Sequence, residues 1–263
     1  MTVWIAIILG LVQGLCEFLP VSSSGHLFIL ENAFGIQDGG TFFTIMLHIG
    51  TLIAVFIAYW NQIVDIIRHP FQRKTGMLLI STVATVAMYL IFNKLFDEAL
   101  SSGMLLGYSF LLTAVLLFIV DIFPQKNVKS IQEMRIPSAL GIGLMQGIGI
   151  LPGVSRSGAT ISGALFFNLE RSAAAEYSFL LSIPAIVGGF ATEIPDMVRT
   201  GFSGINWLPV IVGTLVAAVS GYLAIRFMIR LITKKKLYGF AIYVALLGTW
   251  VILDQNFLHM IFK

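Results

Sequence analysis

Charge and cysteine are both scarce in this chain of 263 residues. Charged residues make up 11% of it, against about 25% in soluble domains, and hydrophobic residues make up 57%, against about 45–50%. This balance excludes an ordinary soluble enzyme and a disordered chain. The net charge of +3 is too small and too scattered for a nucleic-acid-binding surface. The single cysteine, Cys16, excludes an internal disulfide and a cysteine-rich metal site.

Long uncharged segments predict an all-α, polytopic membrane protein. A crossing helix needs about 17–25 mostly apolar residues, and lipid offers an open strand no hydrogen-bond partners. Six segments qualify or nearly do, and the fourth is the weakest because Pro184 interrupts it. The predicted spans are 42–60, 77–93, 103–120, 177–192, 207–225 and 237–253.

Two further apolar regions are interrupted in the middle. Region 1–30 contains Pro20 followed by a run of three serines, and region 136–169 contains Pro152 followed by Gly153. Irregular backbone at membrane depth is tolerated where it is buried in protein or lines a wet cavity. We therefore predict two re-entrant helical hairpins, in segments 1–41 and 136–176.

Basic residues give the direction of the spans. The four loops 61–76, 124–137, 170–176 and 226–236 contain 12 of the 16 Lys and Arg. Because cytoplasmic loops carry an excess of Lys and Arg, these loops are predicted to be cytoplasmic and both termini to lie outside. Only re-entrant hairpins are compatible with that alternation.

The chain matches itself at an offset of 133 residues. Eight of the sixteen positions from 10 to 25 are identical to their counterparts, and the same offset superimposes the predicted spans. The single membrane domain 1–263 would then consist of repeat one, about 1–130, and repeat two, about 134–263. Three spans per repeat give the repeats opposite orientations, and such inverted repeats place the functional site near the midplane. Chance similarity between small-residue membrane segments is the alternative.

The two interrupted regions offer an anion site. Helices that restart after a turn have free N–H groups, and serines and glycines there can bind an anion or let backbone approach it. Arg156 adds a bidentate phosphate partner that would be costly to leave unpaired at membrane depth. The remaining candidate phosphate-binding residues are Ser22, Ser24, Gly25, Ser155, Ser157 and Gly158.

Glu17 and His26 lie on either side of the first serine run and offer proton transfer near neutral pH. Carboxylate, imidazole, hydroxyls and guanidinium together are typical of phosphoryl transfer. Two structural alternatives remain open: Glu17 forms only an ion pair with Arg156, and His26 only caps a helix. His48 could face the same site or bond to a neighbouring helix.

Other charged residues near the spans are interpreted as solvated. We expect the membrane interface to solvate those at span ends, and those between the second hairpin and the fourth span to form a solvated turn. The first group is Asp121, Glu193 and Asp254, and the second is Glu170, Arg171 and Glu176.

At these residues the sequence resembles the bacterial undecaprenyl-diphosphatase family, membrane enzymes linked to bacitracin resistance. The resemblance covers nearly the whole chain and rests on residues 13–26 (QGLCEFLPVSSSGH), 152–160 (PGVSRSGAT) and 176–184 (EYSFLLSIP). It implies hydrolysis of undecaprenyl diphosphate, which recycles the lipid carrier of cell-wall synthesis. It also implies a bacterial cytoplasmic (inner) membrane location, a site open to the outer side, and a homodimer.

Carried over by position, the resemblance makes Glu17, Ser23 and His26 catalytic and assigns the phosphate-binding loop to Ser155, Arg156 and Thr160. Gln13 and Gln146, which are repeat counterparts, are candidate supporting residues. The family's first motif begins with Glu or Gln, and here Gln13 removes a second carboxylate that could help hold a cation. The resemblance implies Mg²⁺ or Ca²⁺, yet only Glu17 is a candidate protein ligand.

The attacking group and the function class both have alternatives. Ser23 is the expected nucleophile, with His26 or Glu17 accepting its proton, but attack by water or by His26 itself stays open. The rival function is a transporter or flippase for a polyisoprenyl phosphate, because inverted repeats with broken helices are common in transporters. An acid-phosphatase-like lipid phosphatase is discounted because no histidine follows Arg156 at short range.

Overall fold

The computed structural model describes residues 1–36, 41–123, 125, 128–200, 205–234 and 236–262. Within the helices, the side chains of residues 41, 95–102, 193 and 195–200 are outside this description, so the expectation for Glu193 falls there. All regular secondary structure in the described residues is helical, apart from an isolated bridge between Lys129 and Leu169. The predicted all-α class is confirmed.

Eleven α-helices are present in the described part of the chain. In chain order they are α1 Val3–Phe18, α2 Ser23–Ala33, α3 Thr41–Ala58, α4 Trp60–Arg68, α5 Arg73–Ser102, α6 Leu106–Ile122, α7 Ile136–Ile148, α8 Arg156–Phe166, α9 Arg171–Thr200, α10 Trp207–Lys234 and α11 Tyr238–Leu253.

Both interrupted regions form two short helices joined by a turn. Helix α1 ends before Pro20, whose ring disfavours the helical conformation in the preceding residue, and Leu19 is indeed extended. Helix α2 then begins behind Ser22 and α8 behind Ser155, and each serine side chain caps its helix. We refer to α1–α2 as the N-terminal hairpin and to α7–α8 as the second hairpin.

Four helices, α5, α9, α10 and α11, are long and apolar enough to cross a membrane. A fifth candidate is the pair α3–α4, which is bent by 79° at its break. Helix α6 overlaps the predicted span 103–120 from residue 106 onward but has only 17 residues. Pro184 does not interrupt α9, which is continuous through it. The chain is therefore a multi-pass helical membrane protein.

The helices pack in close pairs: α1 lies along α10, α10 along α3, α5 along α7, and α6 along α11. Glycine allows the closest approaches. A Cβ atom on Gly14 of α1 would lie 2.6 Å from the carbonyl oxygen of Ala217 in α10. One turn further along α1, the buried ring of Phe18 packs edge to face against that of Phe179, with the ring centroids 5.4 Å apart. Packing of this kind anchors the turn that follows α1.

The solvated state expected for several charged residues is wrong. Asp121 is buried and accepts hydrogen bonds from Arg171 and from the backbone N–H of Tyr238, both at 2.9 Å. Glu176 pairs with Lys74. Carboxylates at helix ends satisfy free backbone N–H groups, which fixes the ends in place.

The expectation for Asp254 is wrong in the same way, because this residue is fully buried rather than solvated. It accepts backbone N–H bonds of 2.9–3.0 Å from the three residues 260–262. Glu170 alone of the predicted turn is exposed, where it accepts a bond from Ser172.

Candidate active site

The turns of the two hairpins touch each other. Ser157 Oγ donates a hydrogen bond of 3.1 Å to the carbonyl oxygen of Leu19, and the backbone N–H of Gly153 points to Ser24 Oγ at 3.4 Å. These partners are separated by 138 and 129 residues in the chain. Residues from the two interrupted regions therefore share one site.

Glu17 lies at the centre of this contact and is buried. Its Oε1 accepts a 2.7 Å hydrogen bond from Arg156 Nη2, and its Oε2 accepts one of 2.6 Å from Ser23 Oγ. Gln13, one helical turn earlier in α1, donates its Nε2 to the same Oε2 at 3.0 Å. One carboxylate thus binds both a guanidinium and the hydroxyl predicted to be the nucleophile.

Arg156 is the first residue of α8, and its side chain is 13% exposed. The ion pair with Glu17 exists, as the structural alternative requires. It uses only Nη2, however, and Nη1 is buried without a hydrogen-bond partner among the described residues. A buried donor without a partner is costly, and phosphate oxygens, like carboxylate oxygens, are acceptors that match the geometry of a guanidinium.

The serines at the two helix N-termini have structural partners of their own. Ser22 Oγ accepts the backbone N–H of Gly25 at 3.2 Å, and Ser155 Oγ accepts that of Gly158 at 3.0 Å. These two hydroxyls therefore orient the free N–H groups of α2 and α8. A Cβ on Gly25 would lie 2.5 Å from the ring of Phe110, so this glycine is required for close packing.

Ser22 has an unusual backbone conformation, with φ 71° and ψ 99°. Positive φ is unfavourable for a residue with a side chain, and such strain concentrates at functional sites. Its repeat counterpart, Ser155, is in the ordinary extended region. Of these two serines, only the one in the turn that presents Ser23 to Glu17 has a positive φ.

Glu17, Arg156, Ser23 and Gln13 form what we call the Glu17 cluster. Two other predicted site residues have hydrogen-bond partners outside it. Thr160 is fully buried and donates to the carbonyl oxygen of Arg156 at 2.9 Å, and its hydroxyl also contacts Ser178 of α9. Gln146 donates its Nε2 to Thr85 of α5 at 3.1 Å. Thr160 therefore stabilises the first turn of α8, which contains Arg156, and Gln146 links α7 to α5 by a hydrogen bond.

The two candidate site histidines, His26 and His48, face different groups. His26 Nδ1 lies 2.7 Å from the carbonyl oxygen of Ser22, and its Nε2 lies 2.7 Å from the hydroxyl of Tyr243, whose ring stacks on it. His48 Nε2 instead lies 3.9 Å from Glu17 Oε2. Sequence reasoning missed Tyr243, which is 217 residues from His26 and belongs to no local motif.

A resident divalent cation does not fit this donor set. Both oxygens of Glu17 already accept hydrogen bonds from Arg156, Ser23 and Gln13. Within the described ranges, no three His, Cys, Asp or Glu side chains come together as a metal site. Mg²⁺ and Ca²⁺ prefer several oxygen ligands, which one carboxylate cannot supply.

Comparisons with known proteins show the family to which the chain belongs. Residues 6–250 match the family model described as bacitracin resistance protein BacA. An undecaprenyl-diphosphatase of Carboxydothermus hydrogenoformans is 40% identical over 252 residues, covering 95% of this chain and 96% of that protein. One from Halothermothrix orenii is 38% identical, covering 96% and 98%, and undecaprenyl-diphosphatase 3 of Bacillus cereus is 40% identical, covering 95% and 96%. The chain belongs to the BacA bacitracin resistance family.

Proposed function

We propose that this protein hydrolyses undecaprenyl diphosphate to undecaprenyl phosphate and inorganic phosphate, which regenerates the lipid carrier of cell-wall synthesis. The relatives named undecaprenyl-diphosphatase support the substrate. The site observation that carries the proposal is Arg156, whose Nη2 binds the same carboxylate as Ser23 and whose buried Nη1 has no partner in the described part of the chain. That arrangement suits an anionic group brought by a substrate.

In the proposed reaction the terminal phosphate lies against Arg156 and the N-termini of α2 and α8. Ser23 Oγ attacks its phosphorus while Glu17 Oε2, 2.6 Å away, accepts the hydroxyl proton. The bond to the bridging oxygen breaks, and polyisoprenyl phosphate leaves with the electron pair. Water then hydrolyses the phosphoserine. Arg156 and the helix N-termini stabilise the phosphoryl charge, which is the main contribution in such transfers.

Glu17 is a better proton acceptor for Ser23 than His26. The carboxylate already accepts the hydrogen bond of the serine hydroxyl. Both ring nitrogens of His26 have partners, Ser22 and Tyr243. Attack by His26 or by a water that it activates would first require the Tyr243 contact to break.

A divalent ion would be held mainly by the diphosphate itself. Mg²⁺ or Ca²⁺ bound to substrate phosphates would neutralise part of their charge. The chain's own contribution to the reaction is the same in either case: Arg156 and the helix N-termini bind the phosphate, and Glu17 orients Ser23.

We further propose six spans and two re-entrant hairpins arranged as an inverted repeat within the single domain 1–263. Helices α2 and α8 are each 11 residues long and differ by 133 in position. Helix α1 packs along α10, and its counterpart α7 packs along α5, the counterpart of α10. The hairpin of each repeat therefore packs against a long helix of the other repeat, as expected for two repeats related by symmetry. The protein would lie in the cytoplasmic membrane as a homodimer, with both termini and the site opening outside.

Phosphate release from undecaprenyl or farnesyl diphosphate by the purified protein in detergent tests the function. We expect release by the wild type and nearly complete loss in Ser23→Ala and Arg156→Ala. Arg230→Ala, at an exposed position of α10, and Ser172→Ala are the matched controls. Full activity of Arg156→Ala would refute the site, and lipid movement in liposomes without phosphate release would favour the flippase. Repeating the assay with a chelator shows whether a cation accompanies the substrate.

A further inference from the structure

His48 of α3 directs one ring nitrogen at the reacting carboxylate. Its Nδ1 lies 2.8 Å from the carbonyl oxygen of Thr44, and its Nε2 lies 3.9 Å from Glu17 Oε2. A carbonyl oxygen can only accept, so Nδ1 carries the hydrogen. In the neutral ring Nε2 is therefore the nitrogen with a free electron pair.

We propose that His48 receives the proton that Ser23 transfers to Glu17, and so acts through Glu17 rather than on the substrate. The proposal rests on the proposed function, because it assigns a second proton acceptor to the same reaction.

Glu17 cannot keep the proton without weakening the site. Its ion pair with Arg156, at 2.7 Å, depends on the negative charge of the carboxylate. Protonation would leave the buried guanidinium facing a neutral acid while it also holds the phosphate, and an unpaired buried charge is strongly unfavourable. Passing the proton to a nearby base restores the pair.

His48 is better placed for this role than His26. His26 Nε2 is engaged by Tyr243, 2.7 Å away, and its Nδ1 by the carbonyl oxygen of Ser22. His48 Nε2 has Glu17 as its near neighbour at 3.9 Å, and the side chain is 30% exposed, so the ring is not locked in place by packing.

The step balances as follows. The bond between Ser23 Oγ and phosphorus forms, and the phosphorus bond to the bridging oxygen breaks. One proton moves from Ser23 Oγ to Glu17 Oε2 and then to His48 Nε2, and this second transfer crosses the 3.9 Å gap through one water or after the ring moves closer. When water cleaves the phosphoserine, the proton returns along the same path to Ser23 Oγ, and one proton of the water is released.

Kinetics of the purified full-length protein test the role. We expect His48→Gln and His48→Ala to lower kcat about 100-fold, as for other proton acceptors, and to leave KM within about two-fold, because substrate binding is untouched. Free imidazole should restore part of the kcat of His48→Ala, since a small base can occupy the space of the deleted ring. His69→Ala, at an exposed histidine bonded to Asp65, is the matched control.

Wild-type protein and Ser23→Ala, assayed in parallel, separate the two proposals. Absence of phosphate release by the wild type would refute the proposed function. A wild-type kcat in His48→Gln, or a loss in His48→Ala that imidazole does not relieve, would overturn the role of His48 while leaving the function standing.

A measurement without turnover addresses the same point. The chain has only four histidines, so ring-¹⁵N labelling gives few signals, and His48→Gln identifies the signal of His48. We expect the neutral ring to carry its hydrogen on Nδ1 and its Nε2 signal to move in Glu17→Gln. A hydrogen on Nε2, or a signal indifferent to Glu17, would overturn the proposal.

Discussion

Replacing Arg156 alone by methionine should destabilise the protein more than a double variant in which the charge of its partner, Glu17, is removed as well. The side chains of Arg156 and Glu17 are only 13% and 5% exposed and are joined by a 2.7 Å hydrogen bond. Arg156→Met keeps the aliphatic bulk but leaves Glu17 as a buried charge without its cation. Breaking a buried pair in this way costs about 3–5 kcal/mol.

For chains of this order of length, each kcal/mol lowers Tm by about 2–4 °C, so Arg156→Met should lose about 6–20 °C. The double variant Glu17→Gln with Arg156→Met removes both charges and keeps both shapes. It should remain within about 1 kcal/mol of the wild type, because neutral replacements of whole buried pairs are often tolerated.

Thermal unfolding in detergent, followed by tryptophan fluorescence, measures both variants, with Arg230→Met as an exposed control. Phosphate release should be lost in the single and in the double variant. A stable but inactive double variant would separate the catalytic use of the pair from its structural use. If the double variant is destabilised as much as Arg156→Met, the two charges are not coupled and the reasoning fails.

Five further substitutions, at four positions, have outcomes that thermal unfolding can measure. Ser22→Ala should cost about 1–2 kcal/mol through loss of the helix cap, whereas Ser22→Gly should stay near the wild type, because glycine adopts φ 71° freely and is an acceptable cap. Gly14→Ala should cost about 1–3 kcal/mol because its Cβ would meet the backbone of Ala217. Gly188→Ala should gain about 0.5–1 kcal/mol, because its Cβ would have no described heavy atom within 4 Å apart from its own helix backbone and chain neighbours. Asp121→Ala should lose about 2 kcal/mol or more while kcat is retained, since its partners are helix ends outside the Glu17 cluster.

The parts of the fold that could be predicted are those governed by neighbouring residues. Pro20 ends α1 and Ser22 starts α2 through local backbone chemistry, and Ser155 starts α8 in the same way. Apolar length located the helices, although it misjudged Pro184, whose position inside a packed helix is compatible with continuity. The approach of Arg156 to Glu17 followed from matching the two halves, and the catalytic roles remain predictions.

Contacts between distant helices could not be predicted from sequence. Tyr243 reaches His26 only because α11 packs along α6 beside the N-terminal hairpin. Asp121 looked like an interfacial residue because its sequence neighbours are apolar, and its partners Arg171 and Tyr238 come from two other helices. Such pairs depend on helix rotation and offset, to which a hydrophobic pattern is insensitive.

The pairing of Glu17 with a residue 139 positions later bears on how the protein is made. At about 5–20 residues per second, the ribosome needs roughly 7–28 s to reach Arg156 after Glu17. During that interval an ionised carboxylate has no guanidinium to accompany it into hydrocarbon, where a charge is expensive. We expect the N-terminal hairpin to wait near the lipid headgroups and to reach its final depth only once α8 has been synthesised. On this expectation, synthesis of the late half of the chain completes the insertion of the early half.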